Sequence, residues 1–513
     1  MKNNTWLLYT LAIIKFILPF LLQNSYYQPH RDEFLYLEEG RHMAWGFMEV
    51  PPLLSVFAWL TNLFGGSMFW IKCWPALFGA LTYLITGRII LSLGGKAFAL
   101  VLAFLGFITA AYLRVHYLFQ PNFLEIFFWT MIAYAAIRFT QTNNNQWLYV
   151  LGTSIGLGIM SKYSVAFYTA SIALGILLTK HRKVYRNKHL YYAMLIGCII
   201  CIPNLIWQYN HRFPLAHHMQ ELQQRQLQYV SSTTFLINQL LMNFPCVFVW
   251  IAGVWFVAFL KEGKPYRFIA WAYLLVIILL IVLHGKDYYA LGAYPVLFAF
   301  GAYQLERFTQ PRAIWWRVAF VLIPCYLGYR LLPLLLPTQM PEDLAVYYQK
   351  RHIDKLGFLK WEDQRNHPIP QDFADMMGWK EITEKVAKVY FALPKEEQAK
   401  TILYSNEYGF AGAMNFYGRK MGLPEVYSHN ASFLLWMPDS FHIKNVLVAQ
   451  EDLPDTTNKI DRAFKHITIE DSLNIPLARE NGTKIVLFQE AGEEANKQLS
   501  ERVRRLKNKY RRQ

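Results

Sequence analysis

The segment NNTWLLYTLAIIKFILPFLL at residues 3–22 is followed, ten residues later, by the acidic pair Asp32-Glu33 within HRDEFLY at residues 30–36. The first segment predicts a membrane-spanning helix, because a bilayer core of about 30 Å needs about 20 residues of apolar helix. A pair of carboxylates beside a membrane is costly to desolvate and is therefore typical of a functional site. Polar residues elsewhere that reach the same side of the membrane are candidates for the same site.

The composition indicates that much of the chain lies in a membrane. Hydrophobic residues make up 54% of the 513 residues, above the roughly 45–50% of an ordinary soluble domain. About eleven segments before residue 337 have the length and apolar content of a span. They are centred near Ile13, Leu81, Leu105, Phe128, Gly156, Ile172, Ile199, Phe248, Ile277, Leu297 and Ile323. The first lacks a small-residue cleavage site, which favours an uncleaved helix over a signal peptide. The sequence thus predicts a polytopic α-helical membrane protein.

Charge separates residues 1–337 from residues 338–513. The first part carries 25 Lys and Arg against 10 Asp and Glu, whereas the second carries 26 against 25. The positive charge therefore belongs to loops between membrane spans, and nucleic-acid binding is not needed to explain it. All five cysteines lie in or beside apolar spans, and the Cys-x-x-Cys pair Cys198 and Cys201 lies on one face of a span, where a packing role is expected. Neither a disulfide in the second part nor a cysteine metal site is expected.

The densest basic loop, KHRKVYRNK at residues 180–188, is predicted to be cytoplasmic by the positive-inside rule. Counting spans from that loop places the amino terminus inside and the chain after residue 337 outside, in a cell (inner) membrane. The same count brings five polar segments to the outer face, where they predict one extracytoplasmic site. These segments are the loop of Asp32 and Glu33, Gln120-Pro121-Asn122, Ser161-Lys162-Tyr163, residues 210–232 and residues 284–289.

Two domains are expected: a transmembrane domain at 1–337, whose first outer loop is 23–68, and an extracytoplasmic α/β domain at 338–513, here called the tail. The tail combines helical periodicity at Trp379–Ala392 with short β-rich runs. These runs are Thr401–Tyr404, Asn445–Ala449, His466–Ile469 and Lys484–Phe488. It ends in a basic helix, Glu493–Gln513, which either contacts anionic membrane lipid or is simply solvated. The glycines of YGFAGAMNFYG at residues 408–418 permit close backbone approach, and the tail is expected to shape acceptor access.

Asp32 and Glu33 have two interpretations. In the functional one, Asp32 is a general base that takes a proton from an attacking nucleophile, with Glu33 as its companion. In the other, Asp32 caps an amphipathic helix, Phe34–Trp45, that lies along the membrane. A cap explains one acid but not the adjacent second, so the functional interpretation is preferred.

Lys162 and Lys286 break the positive-inside trend and lie close to tyrosines in the sequence. Cations so placed can stabilise the charge that develops on an anionic leaving group. Alternatively, both lysines are snorkelling anchors, and Tyr288, Tyr289 and Tyr294 form an aromatic belt.

Asn122 and Glu125 lie near the outer end of a span, where a Glu should be paired or functional; binding of a substrate hydroxyl is one role. His217 and His218, with Glu221, lack a clear third ligand, so a metal site there is poorly supported. No cofactor is expected, and a divalent metal is not required by the sequence. Gly152, Gly156 and Gly158 lie within a span and indicate close helix packing, not a phosphate loop.

The order of these pieces resembles the integral-membrane glycosyltransferases of the GT-C class, in particular the family 39 group related to dolichyl-phosphate-mannose protein mannosyltransferases. The stretches that carry the resemblance are RDEFLYLEEGRHMAWGFMEVPPL, FQPNFLEIFFWT, GLGIMSKYS, HHMQELQQRQL, GKDYYALGAYPVLFAFGA and SNEYGFAGAMNFYGRKMGLPEVYSHNASFLLW. The family implies sugar transfer from a polyprenyl-phosphate-linked donor at the outer membrane face. It also implies Asp32 as catalytic base with Glu33 beside it.

By the same resemblance, basic and aromatic residues near the later spans, here Lys162, Tyr163, Lys286 and Tyr289, would contact the donor phosphate and sugar. Two departures are evident. Aminoarabinose transferases that modify lipid A have Lys before the paired prolines, where Val50 stands here. The turn that is often Pro-Asp in the family is Pro121-Asn122 here, so a carboxylate role passes to Glu125 or is absent.

The expected function is therefore inverting transfer of a sugar from a polyprenyl-phosphate donor to a lipid, glycan or protein acceptor. A secondary transporter or lipid-linked-sugar flippase is the main alternative, since such proteins also contain many spans. They commonly show internal repeats and polar residues at mid-membrane, neither of which is evident here. A non-catalytic scaffold that displays the tail would leave Asp32, Lys162 and Lys286 unexplained.

Overall fold

The computed structural model describes residues 2–109, 111–225, 227–310, 313–453 and 461–511. Helices make up the part before the tail. They are α1 (Lys2–Leu22), α2 (Arg31–Glu39), α3 (Leu53–Leu63), α4 (Met68–Ser92), α5 (Ala97–Ile108), α6 (Tyr112–Val115), α7 (Asn122–Thr142), α8 (Gln146–Ile159), α9 (Val165–Leu177), α10 (Lys188–Asn210), α11 (Pro214–Arg225), α12 (Ser232–Leu241), α13 (Val247–Phe259), α14 (Arg267–Val282), α15 (Tyr294–Phe308) and α16 (Trp315–Leu335). A 3-10 segment, Asp287–Ala293, links α14 to α15.

Within the described residues, six helices are long and apolar enough to cross a bilayer: α1, α4, α7, α10, α14 and α16. A seventh span results if α12 and α13, which are bent by 69° at their break, count as one. The chain is therefore a multi-pass membrane protein. All eleven predicted centres lie in helices, but α5, α8, α9 and α15 have only 12, 14, 13 and 15 residues. The expected number of about eleven full spans is not confirmed.

The glycines of α8 pack this helix tightly against α10. A Cβ added at Gly156 would lie 3.0 Å from the carbonyl oxygen of Gly197, and one at Gly152 would collide with the backbone of Ala193. Two helices can approach this closely only where side chains are absent from the contact. The prediction that these glycines serve helix packing is confirmed.

The tail contains the remaining elements. They are α17 (Pro341–Lys350), α18 (Gln371–Ala374), α19 (Trp379–Ala392), α20 (Lys395–Gln398), β1 (Thr401–Ser405), α21 (Tyr408–Gly418), β2 (Val426–Ser428), α22 (Phe433–Trp436), β3 (Asn445–Gln450), β4 (Phe464–Ser472), β5 (Lys484–Ala491) and α23 (Glu493–Lys507). The sheet has the order β2-β1-β3-β5-β4. Strands β2, β1 and β3 are parallel, with Leu403 opposite Val426 and Leu447, and β5 and β4 add antiparallel. The predicted helix and four strands of the tail are confirmed, while β2 was missed.

The tail packs directly on the short helix α2. Phe34 and Leu35 of α2 share one apolar core with Trp379, Phe410 and Met414 of the tail. The apolar residues of α2 are therefore buried by protein, and this explains why α2 carries an apolar face without being a span.

Two predicted helices are shorter than expected. The helix predicted at Phe34–Trp45 is wrong in its bounds, because α2 ends at Gly40, where an added Cβ would lie 2.5 Å from Ala58. The terminal helix ends at Lys507, and residues 512 and 513 of its predicted range lie outside the described residues. Part of its charge is used within the tail, since Lys507 and Arg511 both bind Asp439 at 2.9 Å. Contact of this helix with lipid stays a prediction.

Candidate active site

The two acids in the first turn of α2, Asp32 and Glu33, have different roles. His30 is the N-cap residue, and its Nδ1 accepts a hydrogen bond from the Asp32 backbone N–H at 3.2 Å. The Glu33 carboxylate accepts one from the His30 backbone N–H at 2.8 Å, which completes a capping box. The alternative in which Asp32 is the helix cap is therefore wrong, because His30 and Glu33 together cap the helix. Asp32 is left free to point elsewhere.

Glu33 is fully buried and bound on all sides. Lys72 of α4 donates to its two oxygens at 2.6 and 2.7 Å, and the Phe119 backbone N–H donates at 2.6 Å. The Lys72 ammonium also lies 4.1 Å from the centre of the Tyr117 ring. The prediction that Glu33 is a catalytic companion of Asp32 needs correction. Its carboxylate forms a buried ion pair with Lys72 that joins α2 to α4, and it does not face the site.

Asp32 has the opposite environment, since its side chain is 28% exposed. Its carboxylate accepts hydrogen bonds from the Tyr408 hydroxyl at 2.6 Å and the Gln120 side-chain amide at 3.2 Å. Arg31 Nε lies 3.6 Å away, and His30 Nδ1 lies 3.9 Å away. Burial by itself would raise the pKa of Asp32, but His30 and Arg31, the Tyr408 hydroxyl and Lys286 together lower it below its ordinary value. Asp32 is therefore ionised at neutral pH and able to accept a proton.

A chain of hydrogen bonds joins Asp32 to Lys162. Gln120 donates to Asp32 and accepts from the Asn122 amide at 3.4 Å. Lys162 then donates to the Asn122 carbonyl oxygen at 2.7 Å and to Glu125 at 2.6 Å. Ser164 also hydrogen-bonds Glu125. The structure thus brings together residues predicted from three separate outer segments, and it adds Gln120, which was noted in its turn but not proposed as a site residue.

Glu125 and Lys162 bind each other. Glu125 is buried and Lys162 is largely so, and they form an ion pair where α7 meets the turn between α8 and α9. This pairing neutralises much of the Lys162 charge, and it accounts for a Glu near the end of a span. Lys162 also lies 4.3 Å from the centre of the Tyr289 ring and 5.6 Å from that of Tyr288.

Lys286 differs from Lys162 in having no carboxylate partner among the described residues. Within the described residues it forms no ion pair, and its ammonium lies 5.9 Å from the Tyr288 ring centre. Burial lowers the pKa of Lys286, and Lys162 lowers it further, against the opposing effects of Glu362 and Asp32. A half-buried ammonium with aromatic neighbours is a candidate for binding an anionic group.

Tyr163 points away from this cluster. Its hydroxyl donates to the Asn204 side chain at 3.0 Å and accepts from Gln208 at 3.0 Å, both on α10. Asn204 in turn donates to the Trp45 carbonyl oxygen at 2.7 Å. Tyr163 therefore ties the turn between α8 and α9 to α10, which Asn204 also joins to the first outer loop, and the structure does not bring the Tyr163 hydroxyl to Lys162 or Asp32.

Sequence reasoning did not identify Tyr36, Glu39 and Glu49 as candidates. Burial is the largest cause that raises the pKa of the Tyr36 phenol. The nearby acids Asp32, Glu39 and Glu49 raise it further. Glu39 is fully buried, accepts from Ser55 at 3.2 Å, and has its pKa raised by burial and by Glu49. The sequence did contain a signal for Glu39, because it belongs to an acidic pair, Glu38-Glu39, beside a membrane. Such a pair is as costly to desolvate as Asp32-Glu33.

The described residues contain no group of three or more His, Cys, Asp or Glu side chains placed to hold a metal ion. His217 instead packs edge-on against the Tyr510 ring, with centres 5.7 Å apart.

Comparison with known proteins adds to this geometry. Residues 49–207 match the family described as dolichyl-phosphate-mannose-protein mannosyltransferase. The lipid A galacturonosyltransferase RgtD of Rhizobium johnstonii (strain DSM 114642 / LMG 32736 / 3841) is 21% identical over 201 residues. That match covers 36% of this chain and 41% of RgtD, so the chain spans less than half the length of this curated relative.

Solved structures show the same fold over nearly the whole chain. ArnT from Cupriavidus metallidurans in the apo state gives a TM-score of 0.62 at 14% identity, covering 95% of this chain and 98% of ArnT. ArnT from Cupriavidus metallidurans bound to undecaprenyl phosphate gives 0.60 at 15% identity, covering 94% and 97%. The resemblance to GT-C glycosyltransferases of the protein mannosyltransferase group, inferred from the sequence, is thus confirmed by the family match at residues 49–207 and by the shared fold.

Proposed function

We propose that this protein is a glycosyltransferase that moves a sugar from a polyprenyl-phosphate donor to a lipid, glycan or protein acceptor. The observation that carries the proposal is that two groups lie within electrostatic reach of each other. One is an ionised, partly exposed Asp32, and the other is Lys286, a cation that has no carboxylate partner among the described residues. A base and an anion-binding cation at one place are what transfer from a phosphate leaving group requires.

The reaction follows from the roles of these two groups. Asp32 takes the proton from an acceptor hydroxyl, whose oxygen attacks the anomeric carbon of the donor sugar. The bond from that carbon to the phosphate oxygen breaks, the electron pair leaves with the polyprenyl phosphate, and the configuration inverts. Lys286 stabilises the leaving phosphate, and one such donor typically contributes on the order of 3 kcal/mol to the transition state. Lys162, whose charge is largely offset by Glu125, contributes less. Neither step needs a metal or another cofactor.

The comparisons support this donor class and a lipid acceptor. One of the two ArnT structures holds undecaprenyl phosphate, which is a polyprenyl phosphate, and RgtD is named for transfer of a sugar to lipid A. Val50 still argues against aminoarabinose, because the lysine expected before the paired prolines is absent.

The proposed site faces outward, with the amino terminus in the cytoplasm and the tail outside. A reporter active only in the cytoplasm should be active when fused after Arg186 and inactive when fused after Met219 or Tyr408. Activity after Tyr408 would place the tail inside and overturn this orientation.

The function is tested with purified protein in detergent and a panel of polyprenyl-phosphate sugars, measuring release of free polyprenyl phosphate in the presence of lipid acceptors. Release with one donor, dependent on acceptor and abolished by Asp32→Asn, supports transfer. A protein that moves lipid-linked sugars across vesicle membranes without releasing lipid phosphate would instead be a flippase.

A further inference from the structure

Tyr408, a residue of the tail, contacts Asp32, the proposed catalytic base. Tyr408 is the first residue of α21, and its hydroxyl donates to Asp32 Oδ1 at 2.6 Å across 376 residues of sequence. Its ring lies over the Arg31 guanidinium, whose central carbon is 5.5 Å from the ring centre. Tyr408 thus contacts the acid at the point where the acid is otherwise partly open.

The packing of α21 on α2 fixes this contact. A Cβ added at Gly409 would lie 2.5 Å from Arg31 Cγ, and one at Gly412 would lie 2.8 Å from Phe34 Cβ. Only glycine permits the two helices to approach this closely. Just beyond α21, Arg419 binds Glu38 of α2 with two hydrogen bonds, at 2.7 and 2.6 Å. The tyrosine hydroxyl is therefore held in place from both ends of the helix.

The hydroxyl of Tyr408 is not needed for packing. Tyr417 lies on the same helix, and both tyrosines pack against the apolar core that α2 shares with the tail. The Tyr417 ring centre lies 6.0 Å from that of Phe34, and its hydroxyl bonds to no described residue. The two tyrosines therefore share a helix and an apolar core, and they differ in whether the hydroxyl reaches Asp32. Tyr417 is the matched control for Tyr408.

We infer that the tail completes the active site, with Tyr408 as a positioning residue that orients the Asp32 carboxylate toward the acceptor hydroxyl. This inference rests on the proposed function. The Asp32 carboxylate can turn about two rotatable bonds of its side chain. A charge-assisted hydrogen bond to one carboxylate oxygen stops this rotation, and it thereby fixes which lone pairs of the second oxygen face the acceptor. Gln120, on the opposite side, holds Oδ2 more weakly at 3.2 Å.

Several charged or titratable groups lie near Asp32 besides the neutral Tyr408 hydroxyl. His30 and Arg31 come from its own turn, Lys286 from the segment before α15, and Tyr36 from one turn along α2. Asp375 of the tail lies 3.7 Å from His30 and is itself bound by Arg479 at 3.3 Å. All of these groups remain when only the Tyr408 hydroxyl is removed, so Tyr408→Phe isolates its contribution.

The experiment compares Tyr408→Phe and Tyr417→Phe in steady-state transfer over a range from acidic to neutral pH. Loss of one hydrogen bond to a charged group should lower turnover about tenfold and leave the KM for the donor unchanged. Because that bond favours the ionised acid, the fall of turnover on the acidic side should move to higher pH by roughly one unit. Tyr417→Phe should change neither. Profiles for Tyr408→Phe that match those of Tyr417→Phe would overturn the inference.

A second measurement does not depend on transfer. Tyr408→Phe is made in the wild-type protein and in Asp32→Ala, and melting temperatures are measured in detergent at neutral pH. The hydroxyl should stabilise the protein only when Asp32 is present, so the loss in the wild-type background should exceed that in Asp32→Ala. Equal losses would overturn the inference. Absence of transfer by the wild-type protein, in contrast, would refute the proposed function and leave this comparison to decide whether Tyr408 acts on Asp32.

Discussion

Two neighbouring acids of one helix turn lie in opposite environments. The Glu33–Lys72 pair is fully buried, with four hydrogen bonds to the carboxylate. The Asp32 carboxylate is partly exposed, and its neighbouring cation Lys286 forms no ion pair within the described residues. A closed pair stabilises the fold and cannot react, whereas an open acid beside an open cation can take a proton and bind an anion. Changes to each region should therefore affect different properties of the protein.

The largest expected effect is on stability, at the closed pair. Lys72→Met leaves the Glu33 charge buried without its partner, which typically costs about 3–5 kcal/mol. The melting temperature in detergent should fall sharply, and expression with it. Adding Glu33→Gln to Lys72→Met should restore part of that loss, because no isolated charge is then buried. Lys183→Met, at an exposed lysine, is the control; a similar melting temperature for Lys72→Met and Lys183→Met would contradict the assigned role.

At the open region, Lys286→Ala should lower turnover by roughly 10²–10³, as expected for loss of one group that stabilises a developing anion. Donor binding should weaken with it, because the same charge faces the phosphate in the ground state. The melting temperature should change little or rise, since a half-buried charge without a carboxylate partner is removed. Normal binding of the donor by Lys286→Ala would exclude Lys286 from the phosphate site.

Turnover should depend on pH at both limits. Asp32 must be ionised to accept a proton, so turnover is present at neutral pH and lost as the pH falls through its lowered pKa. Lys286 must be protonated to bind the phosphate, and its pKa is also lowered, so turnover should fall in alkali earlier than for an ordinary lysine. Lys286→Arg, which stays charged, should abolish the alkaline fall and keep the acidic one. An unchanged alkaline fall would assign it to another group.

The smallest effect is expected at Tyr163. Its hydroxyl bonds to α10 and not to the Asp32 cluster, so Tyr163→Phe should leave turnover within a few-fold of wild type. Loss of two neutral hydrogen bonds should lower stability by about 1–3 kcal/mol. A large loss of turnover at full stability would restore Tyr163 as a donor contact, as the family resemblance implied.

Much of the fold could be predicted from local pattern. Apolar segments of the right length marked the membrane helices, and short runs rich in β-forming residues marked four strands of the tail, because both patterns are local to one element. Helix ends were harder. Gly40, which follows the last residue of α2, lies against Ala58 and Trp59 of α3 where a side chain would not fit, and that contact is invisible in the sequence of α2.

The site was only partly predictable, since the roles of its acids depend on distant residues. Asp32 and Glu33 are adjacent and chemically alike, and what separates them is Lys72, Phe119 and Tyr408, the last of which lies in another domain of the predicted division. Counting spans from the basic loop predicted that Lys162, Glu125 and Asn122 share one side of the membrane. It could not indicate that, among the described residues, Lys162 has a carboxylate partner and Lys286 has none.

The most direct test of the comparison substitutes the two acids in parallel. Asp32→Asn keeps the shape of the side chain but cannot accept the proton, so turnover should fall by roughly 10²–10⁴ while donor binding and melting temperature change little. Glu33→Gln should instead lower the melting temperature, because Lys72 loses its charge partner, and should reduce the turnover of the folded fraction much less. Release of polyprenyl phosphate at a near-normal rate by a stable Asp32→Asn protein would contradict the account, and would move the role of base to another acid.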